Sequence, residues 1–263
     1  MAERELTFWE HLDALRRVLF RIAAVVFGLG IAAFCLMPWI FDHIVMWPCR
    51  SQFPTYQLLD NLAGMGIFAP EGASIDFQPE LITTELASQF FMHVSASCWT
   101  AAIVAFPVII YQLWGFVSPG LYPRERRGAV RAFVAGNIMF YIGAAVGYFV
   151  VFPLALHFLA TYSLSEVIHP MITLESYMDN FFMLMLAMGA VFELPLVAWL
   201  LGKMGLLTRG FFNRWRRHAI VVLLIAAALI TPTGDPFTLS VVFFPLYILW
   251  EFGALLVPKS PSP

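Results

Sequence analysis

Six apolar runs leave this chain one kind of solvent to fold in. They cover residues 18–41, 90–113, 132–152, 174–201, 218–231 and 237–257. A helix rises about 1.5 Å per residue and the hydrocarbon core of a bilayer is about 30 Å thick, so about 20 apolar residues span it. The first four runs qualify easily. The pattern predicts an all-α membrane protein, one compact domain of helices over residues 1–263.

Charge fixes its orientation. The segment before run one carries Arg4, Arg16, Arg17 and Arg21. The 2–3 loop carries Arg124, Arg126, Arg127 and Arg131, and the 4–5 loop Lys203, Arg209, Arg214, Arg216 and Arg217. Lys259 follows run six, and Arg50 stands alone on the opposite side. Positive residues stay cytoplasmic, so both termini are expected there. The net charge of -2 is segregated rather than in excess and says little about partners.

Composition excludes several classes. Charged residues make up 12% of the chain, half the usual share of a soluble domain (about 25%). There is no nucleic-acid motif. Cys35 and Cys98 lie inside apolar runs and are expected as small buried hydrophobes; Cys49 sits alone in the first outer loop. No CxxC or HExxH spacing, P-loop or GxSxG is present, so neither a metal site nor an enzyme is indicated. The first 17 residues hold four acids and no short apolar core with a cleavage site, which argues against a signal peptide.

Thr7 and Glu10 form a capping-box signature. Phe8, Leu12, Leu15 and Leu19 recur on one helical face, with Glu10, Asp13 and Arg17 off it. Residues 1–17 are thus read as an amphipathic helix that runs into span one, with Asp13 and Arg17 as an i,i+4 pair. The first outer loop, residues 42–88, is long and rich in Pro and Gly, with a short helix expected over 55–62. A second outer loop is expected over 153–173. Span four has 28 residues, about 42 Å of helix, and is expected to bend at Gly189 and Pro195. Span five has the opposite problem. Only 14 residues separate Arg217 from Pro232, about 21 Å of helix. The 5–6 hairpin therefore either re-enters or crosses a thinned membrane.

Glu193 is the sharpest anomaly. It lies nine residues from Gly202, about 14 Å into span four, where an ionised acid costs about 2.5–3.5 kcal/mol. It is read as a contact for another membrane segment or as part of a watered depression. Glu125, among Arg124, Arg126 and Arg127, reads from composition alone as a solvated surface acid. Asp235 reads as a turn residue, and Glu251 as an acid reaching headgroup water. The aromatic side chains are read mostly as lipid-facing or interfacial anchors.

Phe8-Trp9-Glu10-His11-Leu12-Asp13-Ala14-Leu15-Arg16-Arg17 resembles the N-terminal motif of the TatC family. Pro107 to Arg126, with Tyr111-Gln112-Leu113-Trp114-Gly115-Phe116-Val117-Ser118-Pro119-Gly120-Leu121-Tyr122-Pro123 at its centre, resembles the family's 2–3 loop. Phe140-Tyr141, Tyr148 to Pro153, Phe192-Glu193-Leu194-Pro195 and Thr231-Pro232 with Asp235 also match. The resemblance implies six spans in a concave, cup-like sheet, the last two short. It implies a twin-arginine signal-peptide receptor that helps export folded proteins across the bacterial inner membrane with the proton gradient. It places the signal peptide's arginine pair near Glu125, Arg16, Glu10 and Asp13. It places TatA- and TatB-type single-span partners near Glu193, Thr231 and Asp235, with several copies of the chain in the complex. No cofactor, metal or nucleic acid is implied. Two positions depart from the family. Ala14 stands where a Glu is common, and Thr238-Leu239 follow Asp235 where Ser-Gln is common. A secondary transporter with Glu193 as proton carrier is the rival reading, and no internal repeat supports it.

Overall fold

The computed structural model describes residues 8–64, 79–117, 126–165, 171–203 and 205–257. The chain there is helical nearly throughout. Helix α1 is Phe8–Ile40, α2 Pro54–Gly64, α3 Ser88–Val117 and α4 Arg126–Val146. Then come α5 at Phe152–Thr161, α6 at Leu174–Phe192, α7 at Leu194–Lys203, α8 at Arg209–Ile230 and α9 at Pro236–Leu256. Among the described residues five helical stretches are long and apolar enough to cross a membrane: Leu12–Asn61, Ser88–Leu113, Phe133–Thr161, Leu174–Lys203 and Pro236–Leu256. Helix α8 is left out because Arg209, Arg214, Arg216 and Arg217 lie on it rather than in a loop before it. Counting from Arg217 makes span five short, but α8 starts at Arg209 and runs 22 residues, and α9 runs 21, against 21 for α4 and 19 for α6.

Contacts divide the chain into two compact units, Met1–Met37 with His93–Asn137 and Pro38–Met92 with Ile138–Pro263. In the first unit the amphipathic segment and span one are a single helix. Small residues bring α1 and α3 together: a methyl group added at Gly30 would lie 3.9 Å from Ala101. His93 stacks on Phe34 with ring centroids 4.1 Å apart and its Nε2 donates to the Phe34 carbonyl at 2.9 Å. That bond satisfies a polar ring in an apolar setting.

The second unit is organised by two devices. Past Ile40 the helix widens into a π-turn, Phe41–Val45, and then unwinds. Buried main-chain carbonyls must find donors. Tyr148 donates to Ile44 at 2.8 Å, Tyr177 to Val45, and Tyr56 to Pro48 at 3.0 Å. Phe53, fully buried, packs edge-on against Trp47 and Tyr148. These rings are therefore a buried clamp, not the lipid-facing anchors expected of the aromatic residues. The second device is close helix approach. A methyl added at Gly143 would fall 2.5 Å from the Met188 carbonyl oxygen, and one at Gly147 3.0 Å from the Leu184 oxygen. Gly143 and Gly147 are a small-xxx-small pair that lets α4 and its π-turn lie against α6.

Three expectations need correction. The outer loop predicted over 153–173 is helical to Thr161. The preceding turn, Gly147–Val151, widens into a π-helix, and Pro153, which has no N–H to give, follows it in the first turn of α5; the Phe149 carbonyl four residues back accepts from the Thr55 hydroxyl instead. Span four breaks at Glu193, before Pro195, and not at Gly189. Gly189 is small because Phe140 lies on it: an added methyl would meet that ring at 2.7 Å. Cys35 and Cys98, expected to be buried, are exposed, because an outward face in a bilayer is already apolar; Cys49 is buried. The all-α expectation holds, with one two-residue strand pair outside the helices. Leu81–Ile82 (β1) pairs in parallel with Ile172–Thr173 (β2). The short helix expected over 55–62 is present as α2.

Candidate functional site

The predicted residues fall at three places. The first is the start of α1. Asp13 and Arg16 are exposed on it, and Glu10 belongs to the same helix; the Glu10 side chain, Thr7 and Glu125 lie outside the described residues. The guanidinium of Arg16 lies 5.5 Å from the centre of the Phe20 ring. Arg17 does not reach the Asp13 carboxylate as an i,i+4 pair would. Its Nε donates to the Asp13 main-chain carbonyl at 3.3 Å. Among the described residues the Asp13 carboxylate has no ion-pair partner. Leu12, Leu15 and Leu19 stay exposed along the helix, a continuous apolar strip beside Arg16.

The second place is the break between α6 and α7. Pro195 cannot donate into the helix ladder, and its ring crowds the turn before it, so α6 ends at Phe192 and Glu193 sits in the gap. The Glu193 N–H bonds to Ala190 at 3.2 Å and its carbonyl accepts from Val197 at 3.0 Å. The side chain is less well served. Among the described residues Oε1 is buried with no hydrogen-bond partner. A buried acceptor without a donor is unfavourable.

The third place is the α8–α9 turn. Thr231 is buried, and its hydroxyl donates to the Ala227 carbonyl at 3.0 Å. Asp235 caps α9: Oδ1 accepts from the Thr238 N–H and Oδ2 from the Thr233 hydroxyl, both at 2.7 Å. Burial pushes the Asp235 carboxyl up, but the donors from Thr238 and Thr233 outweigh it, so it titrates below the ordinary Asp range. A group with a lowered folded-state pKa contributes stability above its unfolded pKa and loses it as pH falls through the folded one. Asp235→Ala is therefore expected to lower stability by about 1 kcal/mol at pH 7. Thermal unfolding in mild detergent is expected to show this gap closing below about pH 4, the unperturbed Asp range.

The second and third places do not converge. Pro195 Cα would lie 3.7 Å from a methyl added at Gly253, near the far end of α9 from Asp235. Eighteen residues, about 27 Å of helix, separate Gly253 from Asp235. Glu193 and the Thr231–Asp235 turn are thus distinct positions.

One pairing escaped the sequence reading. Arg216 of α8 donates to Glu251 of α9 at 2.7 Å, so Glu251 answers an arginine rather than headgroup water. Hairpin arithmetic carries the signal. Arg216 precedes Thr231 by about as many residues as Glu251 follows Asp235.

Comparison with known proteins fits this architecture. The family model described as Sec-independent protein translocase protein (TatC) matches residues 10–245. A Sec-independent protein translocase protein TatC from Blattabacterium is 32% identical over 254 residues, covering 95% of this chain and 94% of that one. Another from Campylobacter jejuni is 32% identical, covering 96% and 94%. A crystal structure of the twin-arginine translocase receptor TatC superposes with a TM-score of 0.72 and 29% identity, covering 94% of this chain and 97% of that one. A second, in DDM, gives 0.74 and 28%, covering 94% and 98%. Family, relatives and fold agree along almost the whole length: this chain is a membrane protein of the TatC family and a component of the Sec-independent protein translocase.

Proposed function

We propose that this chain is the non-enzymatic receptor and scaffold for twin-arginine signal peptides in the bacterial inner membrane. The signal peptide's arginine pair docks at the cytoplasmic face on Glu125, with Glu10 or Asp13 and Arg16 beside it. Its apolar stretch then enters a concave groove formed by six spans, both termini remaining cytoplasmic. Partner subunits of the TatA and TatB type settle against Glu193 and the Thr231–Asp235 turn, several copies of the chain join the complex, and the proton gradient drives export of folded cargo.

The observation that carries this reading is the buried, unpartnered Oε1 of Glu193 at a helix break inside a span. A self-contained bundle would satisfy that oxygen, whereas a scaffold keeps it for a neighbour. Polar contacts between membrane helices are worth about 0.6–2 kcal/mol, or roughly 3- to 30-fold in binding. Glu193→Ala is expected to cut the single-span subunits that co-purify in mild detergent by that factor. Unchanged co-purification removes Glu193 from the partner site.

A further inference from the structure

We propose that the outward face of α8 holds an anionic phospholipid, with its phosphate on Arg214 and Arg217 and an acyl chain along Val221 and Ile225. The buried stripe of α8 is Phe212, Ala219, Leu223 and Ala227. At about 100° per residue, Arg214, Arg217, Val221 and Ile225 fall on the opposite side. All four are exposed, Val221 and Ile225 by 55% and 56%. The face thus changes from basic to apolar within about 6 Å of helix, the distance over which a phospholipid changes from phosphate to hydrocarbon. Phe211 and Trp215, 41% and 45% exposed, flank the basic end, where aromatic rings favour the headgroup level.

The neighbouring arginine behaves differently. Arg216 lies on the side of α8 that meets α9, and Glu251 neutralises it there. That is the one ion pair among the described residues, so Arg214 and Arg217 keep their charge. Two guanidiniums one turn apart fit phosphate oxygens, and a headgroup without its own cation leaves the phosphate charge to them. A second protein helix would have to bring an acid to the edge of the hydrocarbon, which is costly. A lipid brings its anion already placed above its chains. The inference rests on the membrane location alone and not on the receptor reading.

Native mass spectrometry of the delipidated full chain, titrated with phosphatidylglycerol or phosphatidylethanolamine, tests it. The phosphatidylglycerol is expected to bind more tightly. R214Q/R217Q is expected to weaken it about 25-fold, since each Arg near an anionic surface contributes roughly a factor of five, and to leave phosphatidylethanolamine unchanged. Should that variant fail to fold, the unaltered chain gives the same answer: added salt weakens phosphatidylglycerol binding and spares phosphatidylethanolamine. Equal affinity for the two lipids, phosphatidylglycerol binding indifferent to salt, or full binding by R214Q/R217Q overturns the proposal. So does a variant that loses a single-span partner subunit but keeps phosphatidylglycerol.

Discussion

Glu125→Arg is expected to abolish capture of a twin-arginine signal peptide. The change removes an acceptor for two guanidiniums and places a cation among Arg124, Arg126 and Arg127. Charge-assisted bonds to arginine are among the strongest polar contacts, and losing one partner of such a pair costs about 2–5 kcal/mol before any repulsion is added. Affinity should therefore fall by at least about 30-fold, at 1.4 kcal/mol per factor of ten. Glu125→Gln keeps the shape and an acceptor oxygen and is expected to lose less. Pull-down of the solubilised chain by an immobilised signal peptide reads both. Wild-type capture by Glu125→Arg would take this residue out of the docking site.

The second large effect lies in packing. Gly143→Ala is expected to destabilise the protein by about 1–3 kcal/mol or more, the usual cost of overpacking. The added methyl would fall 2.5 Å from a main-chain oxygen at Met188 and 2.7 Å from Cβ of Phe192. Neither can swing away as a long side chain would, so α4 and α6 must separate. Gly28→Ala is the control. A methyl there meets nothing within 4 Å, and alanine is the better helix former, so stability should hold or rise slightly. Thermal unfolding in mild detergent separates the two. Equal melting of both variants would contradict the close approach.

Much of this fold is written in the chain because the bilayer imposes a single rule, that backbone polar groups be satisfied inside each apolar segment. Run length and charge position then place the helices. What stayed hidden depends on tertiary contact. Gly189 reads as a hinge in one dimension, but in space it is a seat for Phe140. Tyr148 and Tyr177 look like interfacial aromatics, and only the unwinding of α1 shows which carbonyls their hydroxyls serve. Gly143 and Gly147 carried a readable signal, the small-xxx-small spacing, that hydropathy alone passes over. The candidate site divides the same way. Glu193 stands out as an acid in an apolar run, and the structure adds the reason for its position, the helix break before Pro195. Asp13 and Arg17 suggest an ion pair by spacing, yet the arginine takes the nearer main-chain oxygen. The role proposed for Glu125 rests on motif resemblance alone, since composition around it reads as an ordinary basic loop.

Receptor action at the start of α1 is tested most directly by a photo-crosslinking side chain at Leu12, on the exposed strip beside Arg16. Two signal peptides with identical apolar stretches are compared, one with paired arginines and one with paired lysines. Lysine cannot reproduce the fork geometry of a guanidinium on a carboxylate. Strong crosslinking to the arginine peptide, lost with the lysine peptide and in Glu125→Arg, is the predicted result. Equal crosslinking to both peptides would contradict the account.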